Sequence, residues 1–364
     1  MDIPFLKNGK FSFGKGNSES FVGIDIGLSS VKVVQLRKEE ERAILETYGQ
    51  LRGEGYLKTI DSSAVFSGFL RFIDEDISAM LKDVLLESNV TTKTAVMSIP
   101  AHASFVTLVE LPKIPRSQWD TVLSFESRRY IPISQNEVFA NWVVIEGEEE
   151  SKKMKVLFVA VPRDIISKYQ RISKLAGLDL RAVEVESFSS VRSLIGTEHA
   201  PMAMIYFGFE STTVMVIDEG ILRLSHTIDR GQEFFTAALA RGLNISMERA
   251  EDFKNEIGLS DKIEQREIVS ILESLLELLV REIDRVISAY NRENERKIER
   301  ILLTGGGARM KGLATYVAQI FGVEVSVGNS FRRITYPQFM QPILRDVSPH
   351  FAVAVGLALR EIDK

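Results

Sequence analysis

Four closely spaced residues, Asp25, Ser29, Ser30 and Lys32, could hold an anion together with its counter-cation. Asp25 supplies a carboxylate, and Gly27 lets backbone approach a ligand closely. Ser29, Ser30 and Lys32 offer hydroxyls, N–H groups and a cation to an anionic group such as a polyphosphate. An ordinary hairpin would use the same Asp and Ser types merely to shape its turn. The motif alone leaves both readings open. A second candidate is Gly305, Gly306 and Gly307, directly after the apolar run from Ile301. A strand that runs into three glycines and then a helix lets backbone press against a flat or anionic ligand. Any tight strand-to-helix turn could use such a triplet, so by itself it is weak.

The elements that must position these residues follow from hydrophobic patterning. Residues 21–26 and 31–36 read as the two strands of a hairpin, followed by a third strand over 43–53. Phe69, Ile73, Ile77, Met80 and Leu81 lie near helical spacing and predict an amphipathic helix over 65–88. A buried strand over 94–99 ends at Pro100, which cannot continue a ladder. Residues 101–165 change character: a strand at 105–111, a charged helix at 117–130 broken by Ile131, Pro132 and Ile133, a strand at 138–145, a charged turn at 146–153 and a strand at 154–161. This reads as a small inserted unit of three strands and one helix, the alternative being more of the same domain. A helix over 164–176 ends at Gly177, a strand covers 180–185, and a helix covers 187–194, with Glu184 and Glu186 just before it.

Then the opening theme returns. Residues 203–208, the hydroxyls Ser211, Thr212 and Thr213, and residues 214–217 repeat strand, glycine, hydroxyl-rich turn and strand. Two copies a domain apart imply a duplicated α/β domain around a cleft. A long amphipathic helix runs through Ile268, Leu272, Leu279, Ile283 and Tyr290 before the glycine triplet.

Composition bounds the function. The 364 residues suggest two or three domain-sized units. Hydrophobic residues at 45% and charged residues at 26% are ordinary for a soluble globular chain. The net charge of −5 gives no general attraction to nucleic acid or anionic lipid. Zero cysteines exclude thiol chemistry, and four histidines argue against structural zinc. Residues 1–20 lack the apolar core of a signal peptide, and no apolar stretch reaches the ~20 residues that cross a bilayer. The expectation is a soluble, cytoplasmic protein. Lys7, Lys10 and Lys15 interleaved with Phe5, Phe11 and Phe13 read as a mobile tail.

Two hairpin loops and a glycine loop in this order resemble the nucleotide motifs of the actin-like ATPase superfamily. The correspondence gives a first phosphate loop at 23–32, a first connecting helix at 184–194, a second phosphate loop at 206–213, an adenosine loop at 304–308 and a second connecting helix at 349–360. Ala250, Glu251, Asp252, Phe253 and Lys254 match the stretch that meets ribose and adenine in that superfamily. Within it, the chain resembles the PilM family of type IV pilus assembly over nearly its whole length. The specific segments are Glu110-Leu111-Pro112-Lys113, Tyr130-Ile131-Pro132, residues 156–161 and Gly356 to Arg360. The insertion is similar to the subdomain that this family shares with the division protein FtsA.

The resemblance implies an actin-like (ribonuclease H-like) duplicated two-domain α/β fold around a nucleotide cleft, with an FtsA-type inserted subdomain. It divides the chain into a tail (1–20), a first domain (21–100 and 166–200) carrying the insertion (101–165), a second domain (201–240 and 300–348) carrying a helical subdomain (241–299), and a C-terminal helix returning to the first domain (349–364). It implies ATP or ADP with Mg2+. Asp25 would hold the metal through water, and Gly27, Ser29, Ser30 and Lys32 would surround the terminal phosphates. Gly208 and Thr212 would form the second phosphate contact, with Gly231, Gly305, Gly306 and Gly307 flanking the nucleotide, Glu251 on the ribose and Lys254 along the base. Glu186 falls where such ATPases orient the attacking water, with Glu184 beside it. One departure stands out. The second loop usually opens Asp-x-Gly, and here it reads Tyr206-Phe207-Gly208. Phosphoryl transfer depends on positioning and charge stabilisation, so losing a metal-side carboxylate predicts slow or absent hydrolysis.

The resemblance also implies an adaptor that binds the cytoplasmic N-terminal tail of a PilN-like inner-membrane partner. The tail would lie in a groove walled by residues 105–111, 117–130 and 154–161. Peripheral association with the inner membrane follows, with pilus motor ATPases as further implied partners and no role for nucleic acid. A sugar kinase would need a catalytic Asp and a sugar site, for which 101–165 offers no candidate. A division protein of the FtsA type would continue into a linker and membrane helix, whereas this sequence stops after 357–364. The alternative reading is an active, polymerising actin-like ATPase.

Overall fold

The computed structural model describes residues 19–53, 56, 72–131, 134, 136–145, 152–196 and 198–363. The chain divides into two compact units. The first comprises Met1–Ser193, Arg333–Met340 and Val353–Lys364, and the second Leu194–Arg332 and Gln341–Ala352.

In the first unit β1 (Ser20–Ile26), β2 (Ser30–Glu39) and β3 (Arg42–Arg52) form an antiparallel meander. β4 (Thr94–Ile99) and β8 (Asp179–Val185) extend it in parallel beyond β1, and the two-residue β14 (Ile334–Thr335) pairs with β3 at the other edge. β1 and β4 are apolar on both faces because both are covered, as expected of strands in the middle of an α/β sheet. Helices α1 (Asp74–Glu87), α3 (Arg163–Ala176) and α4 (Glu186–Leu194) belong to this unit. α1 starts later than its apolar pattern predicts: Ile73 is its N-cap, and Asp74, Glu75 and Asp76 fill the first turn, where the helix dipole favours acids. Phe69, the Ile131-to-Ile133 break at 132 and 133, residues 146–151 and the tail to residue 18 lie outside the described residues.

Between β4 and α3 sits a separate three-stranded antiparallel sheet, ordered β5 (Phe105–Pro112), β7 (Lys153–Pro162), β6 (Val138–Ile145). α2 (Trp119–Tyr130) covers one face, where Leu123 packs among Val109, Leu111, Val156 and Phe158.

The second unit repeats the first. β9 (Met202–Phe207), β10 (Thr212–Asp218) and β11 (Ile221–Ile228) form the meander, and β12 (Arg300–Thr304) and β13 (Glu324–Val327) extend it in parallel. One face of this sheet is closed by α5 (Gln232–Leu243), α6 (Met247–Glu256), the 28-residue α7 (Arg266–Glu293) and α8 (Leu313–Phe321). The strand-and-helix order therefore occurs twice, and the duplication inferred from the two hairpins holds. The last helix, α9 (Gln341–Leu359), contributes its first part to the second unit and its last part to the first. It begins eight residues before Pro349, which lies inside it rather than at its start.

Two glycines fix the packing of that last part. A Cβ at Gly23 of β1 would fall 2.0 Å from the Ala354 carbonyl oxygen, and one at Gly356 of α9 would fall 1.8 Å from the Ser189 carbonyl oxygen of α4. Both neighbours are backbone and cannot swing aside. Gly356→Ala should destabilise the first unit by about 3 kcal/mol, the upper end of ordinary overpacking. Urea unfolding monitored by circular dichroism checks this; an unchanged midpoint would show that the two helices have room to part.

Candidate functional site

The first candidate site is built on the β1–β2 hairpin. The antiparallel register places Asp25 directly opposite Lys32, so both side chains leave the same face. The Lys32 ammonium lies 3.3 Å from Asp25 Oδ2. Asp25 Oδ1 accepts a hydrogen bond from the Ser98 hydroxyl at 2.8 Å. Asp25, Lys32 and Ser98 are all buried. A buried carboxylate needs such company, because an unpaired one costs several kcal/mol. Sequence reasoning singled out Asp25 and Lys32 and missed Ser98. The available signal was a hydroxyl inside the otherwise apolar run 95–99, since a polar group in a covered strand must have a partner.

The turn itself is tightened from the backbone. Gly27 N–H donates to the Ser30 carbonyl at 3.0 Å, and the Ser29 carbonyl accepts from Gly53 N–H at 2.9 Å. Ser29 is exposed, whereas Ser30 is buried as the first residue of β2.

Glu186 opens α4 immediately after β8. Its Oε1 accepts the Ala101 N–H at 2.8 Å, which fixes the orientation of the half-buried carboxyl. Burial first, and the negative charge of Asp25 second, raise its pKa to about 7, against the Ala101 hydrogen bond and the Lys32 charge. Tyr169 of α3 is fully buried, and burial followed by the charges of Asp25 and Glu186 push its phenol well above the usual range. The structure thus brings Asp25, Lys32, Glu186, Ser98 and Tyr169 into one electrostatic neighbourhood, the last two unforeseen.

Glu184 does not join them. It is fully buried and gripped by Arg192, with Oε1 at 2.7 Å and Oε2 at 2.9 Å, and by Arg360 at 3.2 Å. Arg192 also donates to the Gly356 carbonyl at 2.9 Å. The carboxylate expected beside Glu186 is thus held by two guanidiniums, where it ties α4 to the end of α9.

In the second unit the glycines do less for a ligand than their spacing suggests. Gly305 has φ +80°, and a Cβ there would lie 2.7 Å from the Phe207 carbonyl oxygen. A Cβ at Gly307 would lie 2.3 Å from the Phe207 ring. Both are dictated by packing against β9. Gly306 instead faces side chains, the Gln232 amide and the His350 ring. Gly208 N–H donates to the Ser211 carbonyl at 3.0 Å, and its missing Cβ leaves room for the Tyr206 ring, 3.1 Å from where that atom would be. Tyr206 thus lies along the loop that the usual carboxylate would serve. Thr212 is buried inside β10 and donates to the Arg230 carbonyl at 2.7 Å, so its hydroxyl proton braces the next loop. Gly231 is the N-cap of α5, pressed against the Phe209 carbonyl.

Glu251 and Lys254 lie one turn apart on α6 and meet each other. The Lys254 ammonium sits 2.6 Å from Glu251 Oε2 and donates to the Thr236 hydroxyl at 2.8 Å. Burial would raise the Glu251 carboxyl, but the Lys254 charge and hydrogen bonds from Lys254, Thr236 and Asn255 outweigh it and hold it low. Lys254 is almost wholly buried, and its ammonium is held in an internal ion pair with Glu251.

Among the described residues no cluster of three or more His, Cys, Asp or Glu could hold a metal by itself. Asp25 as a lone carboxylate suits Mg2+ carried mainly by phosphate oxygens and water.

A raised carboxyl pKa costs stability once the group ionises. Near pH 4 Glu186 is protonated in both states; between 4.5 and about 7 the unfolded chain ionises while the desolvated folded carboxyl stays neutral, so stability falls across that window and the loss is complete above about 7. Glu186→Gln should therefore raise the melting temperature at pH 8 and leave it unchanged near pH 4. A gain of equal size at both pH values would show that charge burial is not the cause.

The comparisons agree on the architecture. The chain is 22% identical over 346 residues to the cell division protein FtsA of Streptococcus pneumoniae, covering 84% of this chain and 75% of that one. A solved PilM-PilN type IV pilus biogenesis complex superposes with a TM-score of 0.79 at 21% identity, covering 94% of this chain and 98% of that one. MreB 5 of Spiroplasma citri bound to AMPPNP gives 0.52 at 13% identity, covering 94% and 95%. The fold is actin-like. From residue 23 to residue 362 the sequence matches the family described as Type IV pilus assembly protein PilM, and the chain belongs to that family.

Proposed function

We propose that this protein is a nucleotide-binding adaptor of type IV pilus assembly that captures the N-terminal tail of a PilN-like inner-membrane protein. The observation that carries the adaptor reading is the inserted sheet. Its outer strands β5 and β6 each pair only with β7 among the described residues, leaving one edge of each open. Phe105, Val106 and Leu108 of β5 are only half-buried. An extended peptide can add main-chain hydrogen bonds along such an edge and seat alternate side chains on the apolar surface. A structural relative at 0.79 is a PilM-PilN complex, which supports a partner of that kind. No described helix is long and apolar enough to cross a membrane, so attachment to the inner membrane would come through the partner. Coupling to pilus motor ATPases belongs to the same reading.

Nucleotide binding rests on the buried Asp25, Lys32 and Ser98 constellation at the tip of the first hairpin. A relative of the same fold holds AMPPNP, which supports it. Bound Mg2+ would neutralise phosphate charge. Asp25 would hold its water shell, while Ser29, Ser30 and Lys32 take the terminal phosphates and Glu186 orients water. With Tyr206 in the second loop, this chain lacks the other metal-side carboxylate, so binding outlasts turnover.

ATP with Mg2+ should raise the melting temperature, as any ligand selective for the folded state does. Asp25→Ala should shrink that shift, and phosphate release should stay near background. The absence of any shift at saturating ATP would remove the nucleotide from the proposal. For the adaptor, calorimetric titration with the partner's N-terminal peptide should show saturable binding that is lost when the peptide's apolar side chains are replaced by charged ones. Failure of the intact peptide to bind with ATP present would defeat it.

A further inference from the structure

We propose that the second unit carries its own docking site, the free edge of β13 with an adjoining cavity, and that it takes an extended acidic segment of a partner protein. This inference does not rest on the nucleotide or on the inserted sheet. β13 is the outermost strand of its sheet and pairs only with β12 among the described residues. Its outer peptide groups are therefore available to another strand, which is how an edge recruits a partner. The strand is short and open, and Val327 at its end is 43% exposed.

Beside this edge lies a cavity of about 160 Å³, lined by Met202, Arg300, Leu302, Ser326, Val327 and Arg332 among others. Its position follows from strand alternation. Ala203, Ile205, Ile301 and Leu303 point into the helix-covered core, so Met202, Arg300 and Leu302 face the opposite side. The size decides what it can hold. Pockets for cofactors and drug-sized ligands start near ~300 Å³, whereas an apolar space of about 150 Å³ accommodates a benzene-sized group. The cavity thus suits one side chain.

Charge then selects the occupant. Arg300 is compensated by Glu198 at 3.1 Å. Arg332 is exposed, and among the described residues no carboxylate pairs with it; its guanidinium reaches only the Leu194 carbonyl, at 3.5 Å. A guanidinium at a cavity walled by Leu194, Met202 and Leu302 as well as by the internally paired Glu198 and Arg300, next to an open strand edge, fits a strand with an apolar anchor and a carboxylate. Side chains two positions apart share a face of a strand, so the carboxylate belongs two residues from the anchor.

The test uses the full chain and a fluorescent peptide of about six residues, the usual strand length. The peptide has one phenylalanine flanked by valines, with a glutamate two positions to either side. Anisotropy should show saturable binding. Affinity should fall about tenfold when lysines replace the glutamates, and about as much in Arg332→Glu. Ser326→Trp, which fills the cavity from an exposed position, should weaken binding while sparing the response to Arg332→Glu in the residual signal. Unchanged thermal unfolding of both variants shows that the site, not the fold, was altered. No saturable binding, equal binding of the lysine peptide, or indifference to both substitutions would overturn the proposal.

Discussion

The close approach of the end of α9 to β1 and α4 is the constraint on which the first unit depends. At Gly23 and Gly356 backbone meets backbone with no room for a Cβ. These contacts hold the start of α4, and so Glu186, in fixed relation to the end of β1, where Asp25 sits two residues after Gly23. The ion cluster of Glu184, Arg192 and Arg360 ties β8 and α4 to the end of α9. Buried ion pairs contribute little net stability, but breaking one leaves an uncompensated charge. Here the cluster specifies which helices meet, while the glycines specify how closely.

Within that frame the hairpin tip is charge-balanced before any ligand arrives. Asp25 has a cation on one oxygen and a hydroxyl donor on the other. Glu186 loses solvation by burial, feels the negative charge of Asp25 and accepts one backbone N–H among the described residues, hence its pKa of about 7. A group poised near the working pH is suited to handling a proton. At the second hairpin the Tyr206 ring lies beside Gly208, and the Thr212 hydroxyl is engaged with the Arg230 carbonyl.

The inserted sheet and the β13 edge pose the same physical problem in two places. An open strand edge invites pairing, and proteins ordinarily blunt it with charge, brevity or cover. β13 is short and flanked by Arg332; β5 carries Glu110 and pairs it with Lys153 at 2.9 Å. Neither device closes the edge to a complementary strand.

The sequence by itself determined the element order from residue 21 to residue 217, the duplication and the first hairpin, because strands covered on both faces leave unbroken apolar runs and turns leave glycine and hydroxyl signatures; β11, α5 and β13 went unread. It also marked Asp25 and Lys32, whose types are scarce in such runs, while Glu186 was marked by the family resemblance alone. Only the tertiary structure decided which polar residues meet. Glu184 and Glu186 look alike in sequence, yet one faces two guanidiniums and the other the Ala101 N–H, since a strand end and a helix start aim them differently. Spacing gave no sign that Gly305 and Gly307 pack against Phe207, or that Lys254 pairs with Glu251 and Thr236. β14, two residues long, has no local signal at all; it is a strand only through its pairing with β3, far away in the chain. Spacing records a residue's own helix or strand, whereas a site is assembled by partners far along the chain, and that long-range choice is made by packing.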